Sequence, residues 1–166
     1  MLLTFLGKRP KDREAPRTAT RERGIPYDPT LITALTHQHR ELVMLLVKAS
    51  SAAEQCYYAE ATEALAQFKA DLTTHLTRES NQLVPYLSQH LWGEGSEELV
   101  REMQANGARI ERTVKRFLDS YLDKPVDNDS MYDFLIEIER VCEEFSREVE
   151  REETEFYALY MAPEAY

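Results

Sequence analysis

Four stretches of the chain repeat apolar side chains at intervals of three and four, the period of a helix that buries one face. In the first, Leu31, Leu35, Leu42 and Leu46 leave a gap filled by His39. The second runs through Leu65, Phe68, Leu72, Leu83 and Tyr86, with His75 and Glu79 inside it. Val100, Met103, Ile110, Val114, Phe117 and Tyr121 make the third, broken only by Gly107. The fourth holds Phe134, Ile138, Val141, Phe145, Phe156 and Leu159 around Glu148 and Glu152. Each stripe therefore carries its exception near its own midpoint. Punctuation sets the predicted helix ends. Asp28-Pro29 opens the first helix, which runs to about residue 50. Ser50 to Tyr58 contains neither Gly nor Pro, so the boundary with the second helix is soft. That helix continues to about His90, with Pro85 placed to kink its last turn. Trp92-Gly-Glu-Gly95 is a break and Ser96 a cap for the third helix. Lys124 to Ser130 forms the next turn, and the fourth helix extends from about Asp129 to Met161, stopped by Pro163.

Four long helices with mostly short connections predict an all-α fold, an up-down-up-down four-helix bundle over residues 28–166. Midpoints of antiparallel helices meet at one level, so His39, His75, Glu79, Gly107, Glu148 and Glu152 are expected to converge. A buried carboxylate is costly unless it is paired or bound to a metal. His75 and Glu79, four apart on one helix face, have the spacing to ligate one ion together. A bland reading stands beside this one. A lone inward His is more often a hydrogen-bonded core residue, and eight of the seventeen residues from Glu139 to Glu155 are Glu. A slipped register of the fourth helix would then leave its carboxylates in water, with Val149 and the stem of Arg151 covering the core.

Composition narrows the function classes. The 166 residues suit one domain, and 5 Gly with abundant Ala, Leu, Glu and Arg favour helix. A net charge of −10 argues against a nucleic-acid partner, which requires a basic surface. Residues 1–27 form a predicted flexible basic arm with Pro10, Pro16 and Pro26; the first 28 residues hold seven Lys/Arg against four Asp/Glu, which leaves −13 for the remainder. Cys56 and Cys142 have no metal-ligand spacing and read as free thiols of a reducing cytosol. No run of 18 apolar residues predicts a membrane span, so a soluble, cytoplasmic protein is expected. Asp119, Asp123, Asp127 and Asp129 lack the EF-hand order of calcium ligands and read as a polar helix end and turn. No nucleophile elbow, phosphate-binding loop or zinc motif occurs.

The His39, then His75-xxx-Glu79, pattern resembles the hemerythrin-like, or HHE cation-binding, family, four-helix bundles that hold a non-haem di-iron centre. Leu35-Thr-His-Gln-His39-Arg-Glu-Leu42, His75-Leu-Thr-Arg-Glu79 and Glu152-Glu153-Thr-Glu-Phe156 carry the resemblance, over roughly residues 29–161. It implies His39, His75, Glu79 and Glu152 as metal ligands and Glu148 as a substituted ligand. Gly107 supplies none, and Glu111 one turn on is a weak replacement. Such a carboxylate-enriched set suits iron, with manganese second, better than zinc. The implied function is sensing or handling oxygen, nitric oxide or iron at an open position beside Gly107, with a small diatomic ligand or a metal ion as the partner. Oxidase or ferroxidase catalysis is compatible but unforced. A second resemblance, carried by Gln104-Ala-Asn-Gly-Ala-Arg-Ile110 and Met131-Tyr-Asp-Phe134, is to the regulator-of-sigma-D/AlgQ family. It implies a metal-free bundle that binds a protein partner.

Overall fold

The computed structural model describes residues 24–91 and 95–165. Its helices are α1 (Leu31–Glu54), α2 (Tyr58–Arg78), α3 (Val84–His90), α4 (Ser96–Asp123) and α5 (Met131–Arg151). A single π-helical turn, Glu79–Leu83, joins α2 to α3 without a break in the rod, and a second, Glu152–Phe156, continues α5. The result is four antiparallel rods: α1 packs on α2 and α5, and α4 packs on α2 and α5. This is the expected up-down-up-down bundle. Most of the arm expected over residues 1–27 lies outside the described residues. Its last part packs on the bundle: Ile25 N donates to Gln89 Oε1 (3.0 Å) and the Tyr27 ring stacks on Tyr160 at 5.1 Å.

The helix ends show which local signals acted. Asp28 does not cap α1; its Oδ1 accepts from Thr30 N (2.9 Å) and Thr30 Oγ1 (2.7 Å), closing a turn from which the helix starts at Leu31. At the other end α1 runs four residues past the expected stop. It finishes where Cys56 takes a left-handed φ of 61°, with Cys56 N bonded to Ala53 O (2.9 Å) and Tyr57 N to Ala52 O (2.8 Å). That pair of bonds is a Schellman close, usually made at glycine. Replacing Cys56 with glycine removes the left-handed penalty and is expected to raise stability by about 1 kcal/mol in urea melts. A loss of stability would show that the thiol packs usefully instead. Ser96 is the first residue of α4 rather than its cap; Gly95, at φ 91°, precedes it. The turn before α5 is held by Asp127 Oδ1, which accepts from Asp129 N, Ser130 N and Ser130 Oγ. Asp127 thus works as a turn-former.

The core is divided. One cluster, built on Leu42, Leu46, Leu65, Phe68, Phe117, Phe134, Ile138 and Phe145, fills one end of the bundle. Another, built on Leu31, Leu35, Leu83, Tyr86, Met103, Phe156 and Tyr160, fills the other. Each fully buried large side chain contributes about 1.5–3 kcal/mol. Between the two clusters lies a layer of five buried polar residues: His39, His75, Glu79, Glu148 and Glu152. The slipped register of the fourth helix is not adopted, since Glu148 and Glu152 face in at 5% and 7% exposure.

Candidate metal centre

Three of the four rods supply the polar layer in the order their stripes dictate, and α4 brings Gly107 to the same level. His39 comes from the middle of α1 and His75 from the last turn of α2, while Glu79 and Glu152 each open a π-turn. The two π-turns hold equivalent places in the two helix pairs, and single π-turns of this kind occur often at functional sites. One donor atom from each of His39, His75, Glu79 and Glu152 lies within 4.8 Å of the others, all four buried. His39 Nε2 is 3.1 Å from His75 Nε2 and 3.2 Å from Glu152 Oε2, and His75 Nε2 is 3.6 Å from Glu79 Oε2.

Hydrogen bonds on the far side of each ring orient these donors. His39 Nδ1 is 3.0 Å from Glu153 Oε1 and His75 Nδ1 is 3.3 Å from Gln38 Oε1; both oxygens are acceptors, so both rings donate from Nδ1. Each Nε2 is then directed inward, the arrangement in which a ligating His is fixed by its other ring nitrogen. Two inward Nε2 lone pairs at 3.1 Å repel unless a proton or a cation lies between them. Tyr157 completes the set: its hydroxyl donates to Glu79 Oε1 (2.7 Å), and its ring stacks on that of His39, centroids 5.5 Å apart. The donor chemistry, two imidazoles and two carboxylates with their outer partners in place, fits a divalent transition metal.

Burial and charge set the ionisation of the metal-free cluster. Burial, reinforced by Glu152, pushes Glu79 up to about 8 from its ordinary 4.5. Burial and the charge of His39 push His75 down to about 3 from 6.5. For His39 burial alone would lower the pKa, but its hydrogen bonds to the Glu152 and Glu153 carboxylates outweigh it and the net shift is upward. The signs give a testable profile for the metal-free fold. Glu79 contributes stability that is complete below pH 4.5 and is lost as pH rises through 8. His75 contributes stability that is complete above pH 6.5 and is lost as pH falls through 3. The two slopes oppose each other between 4.5 and 6.5, and above that window only the losses remain. Thermal melts of chelator-treated protein are expected to fall from pH 6.5 to 8, and to fall less in Glu79→Gln. An equal fall in both proteins would refute the assignment to Glu79.

The structure brings His39, His75, Glu79 and Glu152 together and sets Glu148 beside them. Glu148 Oε2 is 3.6 Å from an Arg109 nitrogen, while its Oε1 is buried without a partner and the residue lines a small void next to the cluster. Gly107 lines the same void, and the position its Cβ would take has no heavy atom within 4 Å. Glu111 also lines it from an exposed position on α4. Three participants were not legible as site residues: Gln38, Glu153 and Tyr157. A strict 3/4 rhythm carries the buried face of the fourth rod from Phe156 to Leu159. The π-turn inserts one residue, so the buried positions beyond it are Tyr157 and Tyr160, and Leu159 is only half-buried. The sequence signal that would have found Tyr157 is the same bulge, and no residue type announces it.

A family model described as the hemerythrin HHE cation-binding domain matches residues 30–160. The chain matches no curated protein and no solved structure.

Proposed function

Because this chain belongs to the hemerythrin HHE cation-binding domain family, we propose that it binds iron in the layer between its two apolar cores and uses it to sense or handle oxygen, nitric oxide or iron. The observation that supports this most is the convergence of His39, His75, Glu79 and Glu152, with both imidazoles oriented by partners on their far nitrogens. Iron held there would supply redox chemistry and affinity for diatomic gases. The protein's own residues prepare the place. Glu153 and Gln38 fix the tautomers, Tyr157 donates to Glu79, and the flanking Leu35, Leu42, Leu72 and Phe145 limit water. Glu148 with its unpaired Oε1, beside the open side of Gly107, makes this half of the site carboxylate-rich and leaves space for a small ligand. Manganese is the alternative ion for such a donor set. No helix among the described residues is long and apolar enough to cross a membrane.

The test is elemental analysis and visible absorption of protein purified without added metal or chelator, then of metal-free protein reconstituted with ferrous iron under argon. One to two equivalents of iron per chain are expected, with an absorption spectrum that changes on exposure to oxygen or nitric oxide. Failure to take up iron or manganese in either preparation would overturn the reading.

A further inference from the structure

The four-residue cluster is nearly enclosed: His39 and His75 are 1% and 2% exposed, and Glu79 and Glu152 are 7% exposed each. An ion reaching it must cross the bundle wall, and three cavities lie in one seam of that wall, between α2 with its π-turn and α4. The outermost is a groove of about 540 Å³ from Lys69 to Asn81 on one side and Glu111 to Leu118 on the other. Next is a groove of about 330 Å³ that extends from Met103 and Gln104 inward to Glu79 and Glu152. The innermost is a void of about 20 Å³ among His39, His75, Gly107, Glu148 and Glu152, large enough for one water-sized species. Leu76 and Glu111 line all three, and Gly107 and Glu152 line the inner two.

The inner part of this route carries charge of one sign, whereas the outer groove is lined by Lys69 and Lys115 as well as Glu111. The middle groove is lined by Glu79, Glu111 and Glu152 and by no Lys or Arg. Farther out, Lys115 pairs with Asp119, and Lys69 lies 3.9 Å from the same carboxylate. At the inner end Glu148, 5% exposed, lines the void; its Oε2 lies 3.6 Å from Arg109 and its buried Oε1 has no hydrogen-bond partner. Glycine at the centre of a helix costs about 1 kcal/mol against alanine. Here it leaves the groove and the void meeting without a side chain between them.

We propose that the seam at Leu76, Gly107 and Glu111 is the port through which a divalent cation reaches the cluster, with Glu111 the first carboxylate it meets and Glu148 on the wall of the void where the route ends. The proposal rests on the metal-binding reading and adds a route and a selectivity to it. A neutral gas would be indifferent to the charge of the middle groove, and an anion would be repelled by it.

The experiment follows cobalt(II) uptake by metal-free full-length protein in stopped flow, read by visible absorption, with final metal content measured afterwards. Gly107→Leu is expected to slow uptake at least about tenfold, and Glu111→Gln several-fold with a weaker dependence on salt. Final cobalt per chain stays at the wild-type level in both. Gly107→Ala, a better helix former, slows uptake less and keeps the test standing should leucine disturb the fold. Glu60→Gln removes the same charge from an exposed site about 22 Å away along α2 and leaves the rate unchanged. Rates within twofold of wild type for both seam variants would overturn the port, as would equal slowing by Glu60→Gln. A lower final cobalt content in Glu111→Gln would overturn it too, by making Glu111 a resident ligand. Uptake that is absent from the wild type would sink the metal-binding reading along with the port.

Discussion

Replacing His75 with alanine is expected to lower the affinity for ferrous iron at least about 100-fold, since loss of even an outer partner of a ligand costs 10–100-fold. The consequence for stability follows from linkage. A metal present at 1,000 times its dissociation constant stabilises the fold by about 4 kcal/mol, and a 100-fold weaker site loses about 2.7 kcal/mol of that. In a domain of this size that is a fall of about 10 °C in the metal-loaded Tm. The comparison that matters is the shift on adding metal, because truncating a buried imidazole also leaves a cavity and frees Gln38 Oε1. Wild type should show a large upward shift with iron, and His75→Ala about a third of it or less. Equal shifts in the two proteins would place the bound metal elsewhere on the acidic surface.

The second large effect has the opposite sign. Converting His39, His75, Glu79 and Glu152 to leucine, with Tyr157→Phe, is expected to give a protein more stable than metal-free wild type by about 1–4 kcal/mol, the range seen when buried ionic groups yield to apolar ones. The two core clusters would merge into one, and the burial that holds Glu79 near 8 would no longer act on a carboxylate. Tyr157 must change with the others, because its hydroxyl donates to Glu79 Oε1 and would otherwise be buried without an acceptor. Gln38 and Glu153 keep access to water, since both are only partly buried. Denaturant melts with chelator present provide the measurement. A variant less stable than metal-free wild type would mean that the polar layer specifies the packing of the four rods, and that its donors are not held ready for an ion at a cost in stability.

Buried apolar spacing is a local property of each helix, and for that reason the bundle could be read from the chain. Leu31, Leu35, Leu42 and Leu46 are all buried, as are Leu65, Phe68, Leu72, Leu83 and Tyr86, and the polar exceptions at His39, His75, Glu79, Glu148 and Glu152 are buried with them. A rhythm that keeps its period through an ionisable residue fixes the direction of that residue before any partner is known.

Other features depended on the packing of one rod against another. The two π-turns each add a residue that no composition signals, and the second of them turns Tyr157 toward Glu79 and His39. Cys56 ends α1 with bonds usually seen at glycine, so the sequence, with neither Gly nor Pro at this point, shows only a soft boundary. Gln38 and Glu153 become partners of His75 and His39 across 37 and 114 positions of chain. Glu148 shares the buried stripe with Glu152, yet it stands against Arg109 and the void while Glu152 joins the four converging donors. From the sequence Gly107 was a missing ligand, whereas in the bundle it is also the place where a groove and an internal void meet. The sequence by itself determined which faces are buried and which ionisable residues lie on them, because both follow from the period of a single helix. Only the tertiary structure decided which of those residues touch, because distances between rods are set by the summed packing of all four.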